Sequence, residues 1–356
     1  MKLFTPYTLG SLKLKNRMVM AAITRSRADS DGIVGAITAE YYAQRAGAGL
    51  ILSEAVNISA DALGSPLTPG LFTAAQIAAW KKVTRAVHEK GGLIFAQLWH
   101  TGRVAHSVDR NGILPAAPSA VKIEGMQHFT SQGAKDYETP RELPAAEIRQ
   151  IIADYAQAAK NAIAAGFDGV ELHAANGYLP QQFLSDSANL RQDEYGGSVE
   201  NKARFTLDAM RAIIDAVGGI KISPLHPYAG IAFDNPVATY EYLIGELNKL
   251  NFAFVEIMQR APMFPLLPHY PQGDELALFG KMVQGKTVIA GTGFSAETGE
   301  AALENGAADL IAYGAAFLAN PDLPRRFELG ADLNTPDRAT MFGGGAAGYI
   351  DYPMLG

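Results

Sequence analysis

The chain has 356 residues, 48% of them hydrophobic and 19% charged, with a formal net charge of −6. That balance supports a large buried core and excludes a disordered polyampholyte, and no cluster of Lys and Arg resembles the basic footprint of a nucleic-acid binder. There is no cysteine, which removes disulfides, thiolate nucleophiles, iron–sulfur clusters and thiolate-ligated zinc. Seven histidines are scattered without H-x-H or H-E-x-x-H spacing, so no metal is expected. The N-terminus lacks a continuous apolar segment, and no window approaches the ~20 apolar residues of a membrane span. A cytoplasmic protein that touches neither membrane nor nucleic acid is the expectation, as a monomer or dimer.

Short β-branched-rich runs alternate with longer amphipathic segments down most of the chain. The expected strands are Arg17–Ile23, Gly49–Val56, Leu93–Trp99, Gly169–Ala174, Ile220–Leu225, Phe252–Met258, Thr287–Gly291 and Leu310–Gly314. Between and after them lie helical patterns at Thr38–Ala46, Ala74–Lys90, Pro144–Ala165, Glu200–Val217, Pro236–Leu250, Asp274–Met282, Ser295–Asn305 and Pro321–Phe327. Eight strand–helix units match an α/β fold of the closed (β/α)8, or TIM-barrel, type better than an open doubly wound sheet. One domain over 1–356 is therefore expected, although length alone would permit two. The glycine pairs at 91–92 and 218–219, with Gly166 and Gly306, fall where helices should stop before the next strand. Met1–Gly10 is expected to form a hairpin closing the barrel bottom. Thr101–Leu143, rich in Pro, Gly, Ser and His, is too long for an ordinary connection and reads as a lid or binding element.

In such a barrel the ligand sits at the carboxyl ends of the strands. Polar residues collect there: Thr24 after strand one, Gln97 on strand three, His173, Asn176 and Tyr178 from strand four and the turn beyond it, and Lys221 on strand five. A hydroxyl, an amide and a cation converging from three strands suit a flat polar ring such as a flavin; each could also serve only to satisfy local backbone groups. The turns "AGTGF" (290–294) and "YGAA" (313–316) either hold a phosphate through backbone N–H groups or are merely tight turns. His173 and Asn176 can both donate hydrogen bonds without full charge, which suits polarising an oxygen on which negative charge develops. Tyr178 adds a weakly acidic proton. The trio lacks an obvious nucleophile or carboxylate pair, so hydrolysis is poorly supported.

Several long motifs extend this reading. "KLFTPYTLGSLKLKNRMVMA" at the start, "EYYAQRAGAGLILSEA" (40–55), "AQLWHTGRVAH" (96–106), "ELHAANGYLPQQFLS" (171–185), "RQDEYGGSVEN" (191–201), "LANPDLPRRF" (318–327) and "GGGAAGYIDYP" (343–353) run nearly end to end. The chain resembles the Old Yellow Enzyme family of FMN-dependent ene-reductases, and within it the N-ethylmaleimide and pentaerythritol tetranitrate reductase-like branch. The resemblance implies non-covalent FMN, reduction by NADPH or NADH, and hydride transfer to a small activated alkene: an enone, maleimide or nitroalkene, with nitro compounds and nitrate esters as further substrates. It places the substrate-oxygen pair on His173 and Asn176 and the proton donor on Tyr178. It also sets Thr24 near the flavin N5 edge, Gln97 and Lys221 along the pyrimidine edge, and Ala22 and Ala55 against the ring by backbone. Thr292, Gly293, Gly314 and Ala315 would take the phosphate, and Trp99 and Phe342 would shape the substrate pocket. Phe342 stands where relatives commonly have Tyr.

Three positions depart from the family pattern. Ala22 replaces Pro, Lys221 replaces the strand-five Arg, and Ala315 replaces the phosphate-side Arg. Weaker FMN binding is the expected consequence. Two other functions compete: a Schiff-base barrel using Lys221 as amine nucleophile, and a barrel that has lost flavin and only binds.

Overall fold

In the computed structural model, which describes residues 1–356, eight parallel strands close on themselves. They are β1 (Met18–Met20), β2 (Leu50–Asn57), β3 (Ile94–Trp99), β4 (Gly169–Ala174), β5 (Gly218–Ile222), β6 (Phe254–Met258), β7 (Thr287–Gly291) and β8 (Leu310–Tyr313). Each pairs with its chain neighbour, and β8 returns to β1 through Ala312 and Val19. The helices are α1 (Ala36–Gln44), α2 (Ala74–Glu89), α3 (Ala145–Ala164), α4 (Leu179–Leu184), α5 (Val199–Ile213), α6 (Pro236–Asn248), α7 (Glu275–Phe279), α8 (Ala296–Glu304), α9 (Ala315–Ala319) and α10 (Leu323–Leu329). None is long and apolar enough to cross a membrane.

The two-residue period of the strands sorts side chains cleanly. Met18, Ile51, Leu98, Leu172, Ile220, Ile257 and Ile311 point outward into the large cluster shared with the helices. Val19, Leu52, Phe95, Phe254, Ile289 and Leu310 point inward and fill the lower barrel. Continuing that inward set upward by two residues gives Gln97 from Phe95 and Glu256 from Phe254. By the same alternation, Glu171, His173 and Lys221 also face the interior. Hydrophobic side chains thus close the bottom, and polar ones line the top.

Several expected boundaries shift. The N-terminal hairpin pairs Tyr7–Leu9 with Leu12–Leu14 rather than lying within Met1–Gly10, and a 3-10 turn at Lys2–Phe4 precedes it. Its Leu9 and Leu14 enter the inner cluster, so it does plug the barrel bottom. The glycines at 218–219 do not end a helix. They belong to β5, and a Cβ on Gly219 would sit 2.3 Å from the Phe254 ring, so this glycine gives clearance inside the barrel. By contrast Gly91, Gly166 and Gly306 have φ of +68°, +85° and +74° and follow helix ends as expected.

The segment 101–143 carries a 3-10 turn (Ser107–Asp109), a hairpin (Gln127–Thr130 with Gly133–Asp136) and a short parallel pair (Ala116–Ala117 with Arg141–Glu142). Arg103 ties it to the loop after β5, donating to the carbonyls of Val121 at 3.1 Å and Ala229 at 3.0 Å. Val104, Ile123 and Tyr137 form a separate buried cluster with Ala229, and Tyr178 and Tyr228 pack against it. The underside of this segment therefore touches the residues after β4 and β5.

Candidate active site

The loop after β4 is built to hold two side chains at the barrel mouth. Asn176 has φ +56° and Gly177 φ +75°; a Cβ on Gly177 would meet Ala229 Cβ and Tyr228 O, each at 2.8 Å. Only glycine fits there. The amides of Gln181 and Gln182 hold the turn: Gln181 Oε1 accepts from Gly177 N–H at 2.8 Å, and Gln182 Nε2 donates to the Gly177 carbonyl at 2.7 Å and that of Thr101 at 2.9 Å. Loops from β3, β4 and β5 are joined by these two side chains, since Gln181 also donates to Ser223 O at 2.7 Å.

His173 and Tyr178 stand edge to face, ring centroids 4.8 Å apart at 79°, and Trp99 meets Tyr178 the same way at 5.0 Å and 80°. Ala175 N–H donates to His173 Nδ1 at 3.3 Å, which makes Nδ1 the acceptor and leaves the Nε2 proton as a donor. Burial, and then the Lys221 charge, hold the His173 pKa well below its ordinary value, so the ring is neutral. Asn176 Nδ2 rests on Met258 Sδ at 3.1 Å, a weak acceptor that a better one displaces. Burial raises the Tyr178 phenol above its usual range, with Tyr228 adding to the effect. The phenol keeps its proton until something more basic is beside it.

Gln97 and Lys221 also face the interior, but neither is free as expected. Lys221 Nζ lies 2.8 Å from Glu256 Oε1, and Gln97 Nε2 donates to Glu171 Oε2 at 2.6 Å. Two buried carboxyls thus lie close to the trio, correcting the expectation that none did. Alternation alone marks both as inward residues, Glu171 two before His173 and Glu256 two beyond Phe254, but their pairing with Gln97 and Lys221 follows only from the register. Thr24 and Ala22 are half-buried past β1, and Ala55 is buried on β2 opposite Gln97.

The turns after β7 and β8 lie side by side, because Gly291 pairs with Ala312. Thr292 and Gly293 have φ of +79° and +81°, and Gly314 caps α9 with non-helical angles. The N–H groups of Gly293 and Ala315 donate to nothing within the chain, and a Cβ on Gly293 would meet open space. This is an open backbone cradle of the type that receives a phosphate, with no arginine at 315. Phe342 is 56% exposed on the C-terminal segment, which Arg25 holds through the Met341 carbonyl at 3.0 Å and the Gly343 N–H at 2.8 Å. A flat polar ring with a phosphate tail fits this donor set: free N–H groups at one end, and a hydroxyl, an amide and a buried cation at the other.

The chain belongs to the NADH:flavin oxidoreductase / NADH oxidase family, whose model matches residues 2–334. It is 43% identical to 12-oxophytodienoate reductase 1 of Oryza sativa subsp. japonica over 99% of this chain and 93% of that one. It is 40% identical to a probable flavin mononucleotide-dependent alkene reductase of Leishmania infantum, over 98% and 96%. Among solved structures, the old yellow enzyme homologue of Zymomonas mobilis superposes with a TM-score of 0.95 at 41% identity, each chain covered fully. Morphinone reductase in complex with tetrahydroNAD gives 0.93 at 44%, covering 100% of this chain and 98% of that one. The chain is an FMN-dependent NAD(P)H oxidoreductase that reduces activated C=C bonds.

Proposed function

We propose that His173 and Asn176 bind the carbonyl or nitro oxygen of an activated alkene while Tyr178 supplies the proton, with NADPH or NADH as reductant in the cytoplasm. The observation carrying this reading is the edge-to-face pair of a neutral His173, its Nε2 proton free, with the fully protonated Tyr178. Bound FMN, once reduced, supplies the hydride.

The chain's own residues do the rest. His173 Nε2–H and the Asn176 amide donate to the substrate oxygen and stabilise the enolate-like charge that develops there. Asn176 gives up only a sulfur contact in doing so. Tyr178 O–H protonates the α-carbon, for which its raised pKa keeps the phenol loaded. Thr24, Gln97, Lys221 and the backbone of Ala22 and Ala55 would hold the flavin ring, and the Gly293 and Ala315 N–H groups, with Thr292 and Gly314, its phosphate. Trp99, Phe342 and the 101–143 lid would shape the pocket for enones, maleimides and nitroalkenes. Burial works against the charged form of Lys221, but the ion pair with Glu256 outweighs it and keeps the ammonium protonated, which argues against a Schiff-base role.

The test is a visible spectrum of the purified protein, then anaerobic titration with NADPH and with 2-cyclohexenone. Bleaching by the first and return of colour with the second supports the proposal. A colourless protein that takes up no FMN refutes it.

A further inference from the structure

Lys221 belongs to a buried polar belt drawn from four consecutive strands. Its Nζ is 2.8 Å from Glu256 Oε1, with side-chain exposures of 8% and 1%. Glu171 accepts from Gln97 at 2.6 Å. Glu171 Oε1 and Glu256 Oε2 are both buried without a hydrogen-bond partner. A single proton held between the two carboxyls satisfies both orphans, and burial together with the Glu256 charge raises the Glu171 pKa in that direction. The belt then holds one ammonium, one carboxylate and one carboxylic acid, and its net charge is zero. His173, beside Lys221 in register, is neutral and adds none. Gly291 makes room for the arrangement: a Cβ there would sit 3.2 Å from Glu256 Oε1.

We propose that Glu256, backed by Glu171, is a positioning residue that pins Lys221 and cancels its charge at the pyrimidine edge of bound FMN. The flavin potential is thereby held lower than an unpaired lysine would set it. The inference rests on the reading that the ring lies against Gln97 and Lys221. An unpaired cation there favours the anionic reduced ring over the neutral oxidised one, while a neutral ion pair favours neither. Glu256→Gln preserves shape and frees the ammonium. Glu171 is placed to ionise in its stead, so the full effect needs both carboxyls removed.

The experiment uses the FMN-bound protein. The wild type, Glu256→Gln, Glu171→Gln/Glu256→Gln and Lys221→Met/Glu256→Gln are each equilibrated anaerobically with one two-electron reference dye, and the ratio of reduced to oxidised flavin is read from the spectrum. The double carboxyl variant should raise that ratio at least tenfold, about 30 mV for a two-electron couple. Glu256→Gln should fall between it and the wild type, and Lys221→Met/Glu256→Gln should return to the wild-type ratio. If the double carboxyl variant equals the wild type while the lysine-free variant falls below it, the proposal is overturned and the flavin placement stands. Four equal ratios would overturn both.

Discussion

Asn176 and Ser223 are joined across two barrel strands: the Asn176 N–H donates to Ser223 Oγ at 3.0 Å, and Ser223 Oγ donates in turn to Gln181 Oε1 at 3.2 Å. This chain of bonds holds Asn176 at its left-handed φ, aimed at the mouth. Ser223→Ala leaves the Asn176 N–H without its partner, a change of about 1 kcal/mol. Enone turnover should fall by roughly fivefold in kcat/KM, with NADPH-driven bleaching untouched. Stopped-flow measurement of the two half-reactions separates them; equal enone kinetics would remove Ser223 from the site.

Tyr178→Phe keeps the ring edge to face with Trp99 and His173 and deletes only the acidic proton. General acids contribute about 10²–10⁴-fold, and that is the loss expected in reoxidation by 2-cyclohexenone. Flavin reduction should be unchanged. A mutant that turns over enone at the parent rate excludes Tyr178 as donor.

Ala315→Arg restores a cation beside the free Gly293 and Ala315 N–H groups. A charge-assisted hydrogen bond of about 1.5–3 kcal/mol corresponds to roughly tenfold to a hundredfold tighter FMN binding. Recovery of FMN fluorescence on dilution reads the dissociation constant directly. No change would mean that the phosphate lies elsewhere.

His226 is held at about 4, below its ordinary 6.5, first by burial and then by Arg260 and Lys221. Between pH 6.5 and 4 the unfolded chain takes up a proton there that the native chain does not. This group's contribution to stability is therefore present above 6.5 and lost as pH falls towards 4, with no further change below. His100, held at about 4 by burial, acts in the same sense. In His226→Gln the drop in melting temperature from pH 7.5 to pH 5 should be smaller than in the parent; an identical drop would show that His226 takes no part.

The barrel was legible because short apolar, β-branched-rich runs alternate with longer amphipathic segments and its helices stop at glycines with positive φ, such as Gly91 and Gly166. The glycines at 218–219 misled: their composition signals a helix end, whereas the cause is a phenylalanine on the neighbouring strand, a tertiary fact. The trio after β4 was legible from spacing along a single segment. The partners of Lys221 and Gln97 were not, because each comes from another strand and is visible only once the register is known. Read by alternation alone, Glu171 and Glu256 were available as inward residues.

The Arg103 tether has a practical corollary for anyone redesigning selectivity. Because the insertion after β3 is moored to the β5 loop and rests on Tyr178 and Tyr228, it cannot be swapped as an independent cassette. Grafts that widen the entrance will also disturb the phenol that completes the reaction, so breadth of substrate and stereochemical outcome should change together.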